Sequence, residues 1–160
     1  MYICTKEKRQ LNLPFGDQIA TVKEDNHSRI LFQNVKSFEM STEQLTLENT
    51  CDVISRYEID IASLTETNTN WKHPGGASTL RQASKRHCKH HHFIISETDI
   101  SWKALYKPGG TTIITQQPLF NGITNYGQDP HGFCRWSFIT ISGQEKSIII
   151  IISAYRICDT

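Results

Sequence analysis

Two short apolar runs separated by one helical segment constrain the fold of this chain more than any other feature of its sequence. The runs span residues 29–35 and 59–64. Between them, residues 41–57 carry apolar side chains at the three- and four-residue spacing of an amphipathic helix. A crossover of this length usually joins two parallel, neighbouring strands by a right-handed connection. The sequence therefore predicts a strand, a helix and a second strand that form one α/β unit.

The first of these strands is predicted to lie in the middle of its sheet. Ile30 and Phe32 would face one side and Leu31, Gln33 and Val35 the other, so apolar residues lie on both faces of the strand. Such a pattern is typical of a sheet that is covered on both sides. We therefore expect packed layers above and below this strand.

The later part of the chain is predicted to add a second helix and several short strands. The helix is expected at residues 77–89, which are rich in Lys and Arg. Apolar runs separated by turn residues then predict strands at residues 93–96, 103–106, 111–115, 134–142 and 147–155. The expected fold class is α/β (α+β), with a mixed β-sheet flanked by helices.

Length and periodicity favour one domain after an irregular start. Residues 1–28 lack sustained periodicity and contain Pro14 and Gly16, which indicates a loosely structured lead-in. The remaining residues, 29–160, are enough to bury the core of one domain.

The composition says more about the cellular compartment of the protein than about its binding partner. The net charge of +1 lacks the strongly basic character of most nucleic-acid-binding domains, so such a contact would need a local patch. The five cysteines are widely spaced without a CxxC pair, which favours reduced thiols and an intracellular location, with the nucleus as one candidate. The first ten residues lack the apolar stretch of a signal peptide. The most apolar run, Ile148 to Ile152, is far shorter than the ~20 residues of a membrane-spanning helix, so no membrane partner is expected.

The ends of the two strands supply candidate metal ligands. Asn34 lies near the end of the first apolar run, and Glu66 follows the second after one threonine. Parallel neighbours bring their carboxyl ends together, where open α/β sheets bind their ligands. A carboxylate and an amide oxygen at that edge would form part of a shell for Mg²⁺, which takes oxygen ligands and holds phosphate substrates.

Four short motifs, in order along the chain, give the sequence a resemblance to a known family. They are Phe32-Gln33-Asn34-Val35, Leu64-Thr65-Glu66-Thr67-Asn68, Arg135-Trp136 and Ser153-Ala154-Tyr155-Arg156. Together they resemble the endonuclease/exonuclease/phosphatase superfamily, which has the DNase I-like fold. They are also similar to the endonuclease domains of retrotransposon-type open reading frames. The resemblance covers roughly residues 29–160 and implies an αββα sandwich.

The resemblance implies a role for each matching residue. Glu66 and Asn34 would bind Mg²⁺ (or Mn²⁺), and the hydroxyl of Tyr155 would support the phosphate at the scissile bond during catalysis. Three further residues would contact the substrate: Asn68, Arg135 and Arg156. The implied function is hydrolysis of a phosphodiester in nucleic acid, with DNA as the expected partner.

Several positions depart from the family pattern. Cys134 stands where a glycine commonly precedes the arginine, and Lys36 stands where several members carry an acid. Ile157-Cys158 replaces the Pro-Asn that often follows the tyrosine, and the family's downstream Asp-Asn and Asp-His pairs have no counterpart before Thr160. The chain is therefore expected to be the N-terminal part of such a domain, an incomplete sandwich that is inactive alone. Its uncovered sheet is expected to bind the missing C-terminal half or to self-associate.

The basic residues leave other interpretations open. A non-catalytic nucleic-acid-binding remnant would use Lys72, Arg81, Lys85 and Arg86 together with the histidines that follow. The cluster at residues 87–92 fits either zinc ligands or a solvated basic edge that meets phosphate.

Trp71, in the turn-rich loop after Asn68, also has two interpretations. It could stack on a base or sugar, or it could form a hydrophobic lid over the end of the sheet. A dinucleotide-binding domain is disfavoured, because no glycine fingerprint follows the first strand.

Overall fold

The computed structural model describes residues 22–38, 45–87, 91–96, 103–143 and 146–156. Within these residues the chain forms seven strands, two α-helices and one short 3₁₀ helix. Neither of the described α-helices is long and apolar enough to cross a membrane. The elements form three layers, which are a pair of helices, a first sheet and a second sheet.

The first unit is the predicted strand, helix and strand. β1 spans Ile30–Asn34, α1 spans Leu45–Arg56 and β2 spans Ile61–Thr65. β1 and β2 are parallel neighbours, and their register aligns the last residues of the two strands. The predicted parallel pair is therefore confirmed, while the predicted helix start at residues 41–44 lies outside the described residues.

Three more elements complete the helix layer and the first sheet. α2 spans Pro74–His87, β3 spans His91–Ile95 and β4 spans Thr111–Gln116. The strand order is β1-β2-β4-β3, and β4 runs antiparallel to both β2 and β3. This is a mixed sheet, as the sequence predicts.

The second sheet is antiparallel and follows a 3₁₀ helix at Leu119–Gly122. β5 spans Ile123–Gln128, β6 spans Trp136–Ser142 and β7 spans Ile148–Ala154, in the spatial order β5-β6-β7. The last two strands, β6 and β7, are antiparallel neighbours.

Two apolar cores hold the three layers together. Leu47 and Ile54 of α1 and Leu80 and Ala83 of α2 pack on the outer face of the first sheet. The core between the two sheets consists of buried isoleucines, contributed by five strands: Ile61, Ile94, Ile113, Ile139, Ile141 and Ile151. Because β-branched side chains pack well on a pleated surface, this composition is typical of sheet-on-sheet packing.

The position of β1 differs from the prediction. β1 lies at the edge of the first sheet and not in its middle, and Phe32 is 57% exposed. The apolar residues on both sides of the strand suggested full coverage, but among the described strands β1 has a hydrogen-bonded neighbour only in β2. An edge strand is covered less completely by the layers that pack on its sheet, so apolar side chains remain in solvent there.

Three smaller predictions are also corrected. Residues 103–106 do not form a strand, and Tyr106 forms an isolated β-bridge with Thr69. α2 begins at Pro74 and not at residue 77, because proline is favoured in the first turn of a helix, where its missing N–H costs nothing. β5 was not predicted, because its sequence between Ile123 and Gln128 is mostly polar.

The segment that precedes β1 follows an irregular path that is fixed by Asp60. Lys23 Nζ lies 2.6 Å from Asp60 Oδ1, and the backbone N–H of Arg29 donates to Asp60 Oδ2 at 2.7 Å. Asp60 is buried, so these bonds fasten the segment to the amino end of β2. The division into a lead-in and one domain stays a prediction.

The outer face of the second sheet exposes a row of isoleucines on β7. Ile148, Ile150 and Ile152 are 65%, 59% and 58% exposed, whereas Ile151, which alternates with them, is buried between the sheets. Both described α-helices pack on the other sheet, so the described residues place no layer over this face.

Replacing Ile150 and Ile152 by threonine together is expected to lower the binding of an apolar dye such as ANS. The unfolding free energy should change by no more than about 0.5 kcal/mol per site, because both side chains are exposed and threonine favours strands. Dye fluorescence and urea denaturation measure the two effects. Ile151→Thr is the matched control, and it should cost about 2 kcal/mol or more because it puts a hydroxyl into the core. Undiminished dye fluorescence in the double variant would show that this face is not the exposed apolar surface.

Candidate metal and phosphate site

Asn34 and Glu66 meet at the carboxyl end of the parallel pair. The register places Asn34 opposite Thr65, the residue before Glu66. Asn34 Nδ2 donates a hydrogen bond to Glu66 Oε1 at 2.5 Å, and both side chains lie near solvent. The two strand ends therefore bring a carboxylate and an amide together at one edge of the sheet.

The orientation of the amide differs from the expected pair of oxygen ligands. Asn34 Oδ1 accepts from the backbone N–H of Lys36 at 2.9 Å, so the amino group, and not the oxygen, faces the carboxylate. A hydrogen bond to a charged acceptor is stronger than a neutral one. In this arrangement the Asn34 amide orients the Glu66 carboxylate, and the roles of both residues as metal ligands stay predictions.

Three non-glycine residues at this edge have left-handed backbone conformations. The φ angles are 59° at Lys36, 55° at Glu66 and 51° at Asn68. Such conformations cost on the order of 1–3 kcal/mol each and persist where surrounding bonds fix them. Their concentration beside the carboxylate is typical of a functional site.

Asn68 supplies the bonds that hold these turns. Its Nδ2 donates to the carbonyl of Lys36 at 3.0 Å, and its Oδ1 accepts from the N–H of Gly109 at 2.7 Å. Both ends of the amide are thus engaged within the protein. Asn68, predicted to contact the substrate, fastens together the loops that surround Glu66.

Two glycines enter this region from the strand on the other side of β2. Gly109 and Gly110 have φ angles of 81° and 97°. A Cβ on Gly110 would lie 2.5 Å from the hydroxyl oxygen of Thr67, and one on Gly109 would lie 3.3 Å from the ring of Tyr155. Only glycine allows the backbone to approach this closely.

Tyr155 comes to the same end of the molecule from the second sheet. Its ring packs against Gly109, and its backbone N–H donates to the carbonyl of Arg135 at 2.8 Å. Just before it, the Ser153 hydroxyl donates to the carbonyl of Leu64 in β2 at 3.2 Å. Tyr155 is half-buried. The turn that contains Gly109 connects it to the residues around Glu66, because Gly109 contacts the Tyr155 ring and donates to Asn68.

Polar side chains also link the two sheets below the site. The hydroxyls of Thr111 in β4 and Ser137 in β6 lie 2.9 Å apart, and both residues are buried. Together with the bond from Ser153 to β2, this contact joins the sheets near the carboxyl end of β2.

The two arginines predicted to contact substrate are both exposed. The guanidinium of Arg135 lies over the ring of Phe133, 4.9 Å from its centroid. Arg156 follows Tyr155 directly, at the end of the described chain. Both can therefore reach a phosphate from solvent without moving the core.

Asp129 is a structural residue of this region that the sequence analysis missed. It is buried, and its carboxylate accepts from the N–H groups of His131 at 3.0 Å and Arg135 at 3.2 Å. The Asp-Pro pair directly after β5 was the available signal, because aspartate often caps a turn by accepting from the backbone two residues on.

Cys134 has a backbone conformation that suits glycine better than a residue with a side chain. The residue has a φ of 59°, which glycine adopts without strain, and its side chain is fully buried. The thiol donates to the carbonyl of Gly132 at 3.7 Å. The backbone path is thus kept despite the side chain.

A single carboxylate with an amide beside it fits one mode of divalent-metal binding. Mg²⁺ is often held by one or two carboxylates, with waters and substrate phosphates as its other ligands. Glu66 offers such a carboxylate at a solvent-facing edge. Among the residues that the structure describes, no group of three or more His, Cys, Asp or Glu could hold a metal ion by itself.

The histidine cluster does not share one helix face. His87 ends α2 and lies 2.8 Å from Glu48 of α1, whereas His91 and His92 belong to β3. The structure therefore does not place His87 and His91 on one helix face as a pair of zinc ligands, and residues 88–90 lie outside the described residues.

Among the remaining candidates for nucleic-acid contact, one side chain is buried and the others are exposed. Trp71 is buried, with its ring edge-on to Phe38 at a centroid distance of 6.0 Å, so it covers the core and does not stack on a base. Lys72, Arg81 and Lys85 are exposed. Arg86 is also exposed, but it pairs with Glu48 at 2.6 Å.

Comparison with solved structures defines the class of fold. No family model matches the sequence, and no curated protein matches it. In structure, however, the chain has the DNase I-like fold of the endonuclease/exonuclease/phosphatase proteins, with helix, sheet and sheet in the same arrangement.

Two solved structures show the likeness most directly. One is an endonuclease/exonuclease/phosphatase family protein from Leptotrichia buccalis C-1013-b, with a TM-score of 0.57, 16% identity and 81% of this chain covered. The other is an AP endonuclease from Archaeoglobus fulgidus, with a TM-score of 0.52, 18% identity and 81% covered. This chain spans 55% and 41% of their lengths, so the sandwich it forms is incomplete relative to theirs.

Proposed function

We propose that this chain is part of a Mg²⁺-dependent phosphodiesterase that acts on nucleic acid, with DNA as the substrate. The observation that carries the proposal is the contact between Asn34 and Glu66 at the carboxyl end of two parallel strands. It is supported by the DNase I-like fold and by the likeness to a protein described as an AP endonuclease. The similarity to retrotransposon-type endonuclease domains belongs to the same proposal.

Some side chains of the site would hold the metal ion, and others would contact the phosphates. Glu66 would hold Mg²⁺ (or Mn²⁺), oriented by Asn34, and the bound metal would neutralise charge that develops on the phosphate. Tyr155 would donate its hydroxyl to a phosphate oxygen, and Arg135 and Arg156 would bind neighbouring phosphates from the exposed rim. Asn68 would keep the turns around Glu66 in position.

The described residues supply one acid to this site and place no base beside it. General-base catalysis contributes about 10²–10⁴-fold to rates of this kind. We therefore propose that the chain alone is slow or inactive and that a complementary half supplies the base. The cysteines Cys51 and Cys134 are buried and are not joined in a disulfide, which supports an intracellular location, with the nucleus as the finer proposal.

Slow nicking of supercoiled plasmid DNA that requires Mg²⁺ is the expected result for the purified chain. Gel electrophoresis after long incubation with Mg²⁺, and in parallel with EDTA, measures it, and Mn²⁺ binding is followed by electron paramagnetic resonance. Nicking that persists in EDTA, or a chain that neither nicks DNA nor binds Mn²⁺, would contradict the proposal.

A non-catalytic nucleic-acid-binding role is the second candidate, because Lys72, Arg81 and Lys85 are exposed. Such binding would weaken steeply with salt, since each neutralised phosphate releases counterions. It would also survive Glu66→Gln without loss. The nuclease proposal instead requires that this change removes metal binding.

A further inference from the structure

The turn between β5 and β6 presents three side chains on alternate residues. His131, Phe133 and Arg135 are all exposed, and Phe133 is 53% accessible. The Phe133 ring lies 6.2 Å from the ring of His131 and 4.9 Å from the guanidinium carbon of Arg135. We call these three residues the aromatic ladder.

The backbone beneath the ladder is held in one conformation. The Asp129 carboxylate accepts from the N–H groups of His131 and Arg135, and the N–H of Asp129 donates to the carbonyl of Trp136 at 3.0 Å. The carbonyl of Arg135 accepts from Tyr155. A ligand that binds the ladder therefore does not have to order the turn, which removes much of the entropic cost of binding.

An exposed phenylalanine on a rigid turn leaves a large apolar surface in water. Burying such a side chain against a ligand is favourable, because it removes apolar surface from water. The isoleucines of β7 are exposed as well, but Phe133 differs because a guanidinium and an imidazole lie beside its ring. The described ion pairs do not include Arg135, so its charge is available to an anion. A ligand with both an aromatic face and negative charge matches this combination.

The ladder lies on the rim of the candidate metal site. Arg135 is bonded to Tyr155, the ring of Tyr155 packs on Gly109, and Gly109 donates to Asn68. Asn68 in turn lies two residues beyond Glu66. A nucleic-acid strand with one phosphate at Glu66 would therefore run past the ladder.

We infer that the aromatic ladder binds an unpaired base of single-stranded nucleic acid, which stacks on Phe133 while Arg135 and His131 contact the adjoining phosphates. A base within a duplex is already stacked, and a side chain that reaches it must pay for unstacking. An unpaired base carries no such cost and stacks on any aromatic face. The inference rests on the proposed function for the class of ligand, but not on metal binding or cleavage.

Fluorescence anisotropy with labelled dT12 in EDTA tests the inference, on the full chain carrying Glu66→Gln so that cleavage cannot interfere. Phe133→Leu is expected to weaken binding by on the order of tenfold, because leucine keeps the apolar bulk and removes the aromatic face. Phe133→Trp should bind at least as tightly as the parent. A 12-mer of the same charge with abasic residues should bind the parent weakly and be indifferent to Phe133→Leu.

Tyr126→Leu is the matched control, since Tyr126 is another exposed aromatic residue and lies beside His92, but on β5. Its affinity for dT12 should equal that of the parent. The inference is overturned if the parent does not bind dT12, if Phe133→Leu binds it unchanged, or if the abasic strand loses affinity equally. In the last case Phe133 serves the shape of the turn or a protein contact. Base-dependent binding by a chain that neither nicks plasmid DNA with Mg²⁺ nor binds Mn²⁺ would overturn the nuclease proposal and leave this one standing.

Discussion

Replacing Glu66 by glutamine is expected to remove divalent-metal binding and to lower metal-dependent cleavage at least about 100-fold. Glutamine keeps the size of the side chain but loses the negative charge that a hard cation requires. The fold should be unaffected, because the carboxylate lies near solvent and its partner Asn34 can still bond to the amide oxygen. Mn²⁺ titration by electron paramagnetic resonance measures binding, plasmid nicking measures cleavage, and a thermal melt checks folding.

Glu58→Gln provides a matched control for this prediction. Glu58 also has a left-handed backbone, with a φ of 48°, but it precedes β2 and therefore lies at the opposite end of the strand. Its carboxylate accepts from the N–H of Lys23 at 3.2 Å. The control should bind Mn²⁺ as the parent does. Equal loss in both variants, or no loss in Glu66→Gln, would place the metal elsewhere.

Gly110→Ala is expected to lower the unfolding free energy by about 2–4 kcal/mol. The added methyl group would lie 2.5 Å from the hydroxyl oxygen of buried Thr67, in a backbone conformation, φ 97°, that alanine rarely adopts. The added methyl group would clash with Thr67, which directly follows Glu66, so metal binding should weaken as well. Urea denaturation and Mn²⁺ titration measure the two effects.

Gly75→Ala separates this steric effect from the loss of a glycine as such. Gly75 lies in the first turn of α2 and has no positive φ, and its nearest neighbour to an added Cβ is the His73 ring nitrogen at 3.2 Å. Alanine favours helices, so the unfolding free energy should stay unchanged or rise by up to about 1 kcal/mol. A Gly110→Ala protein as stable as Gly75→Ala would mean that Thr67 moves aside at no cost.

Patterns within short stretches of sequence correctly predicted the first strand, helix and strand of the fold. The parallel pair β1 and β2 and the helix between them follow from two apolar runs and one helical period, and the meeting of Asn34 with Glu66 follows from that topology. The edge position of β1 could not be predicted, because it depends on which strands pair later in the chain. β5 was missed because its pairing with β6 is made by backbone groups, which the side-chain pattern does not reveal. At Gly127 the strand even requires the absence of a side chain, since a Cβ would come within 2.5 Å of the Phe138 ring.

The supporting residues of the site were harder to predict than its acid. Asn68 and Asp129 act through hydrogen bonds to backbone groups of other turns, at Lys36, Gly109 and Arg135. Such hydrogen bonds produce no repeating pattern in the sequence from which they could be predicted. The resemblance implies a substrate contact for Asn68, which stays a prediction, and the structure adds the internal hydrogen bonds of its amide to Lys36 and Gly109.

The bonds from Thr111 to Ser137 and from Ser153 to Leu64 have a consequence for the alignment of the two halves of the site. Glu66 belongs to one layer and Tyr155 to the other, and an interface made only of isoleucine would permit lateral slip between them. Directional bonds fix the relative position of the layers at the end where chemistry would occur. The apolar remainder of the interface holds the layers together, and these hydroxyls fix the separation between Glu66 and Tyr155.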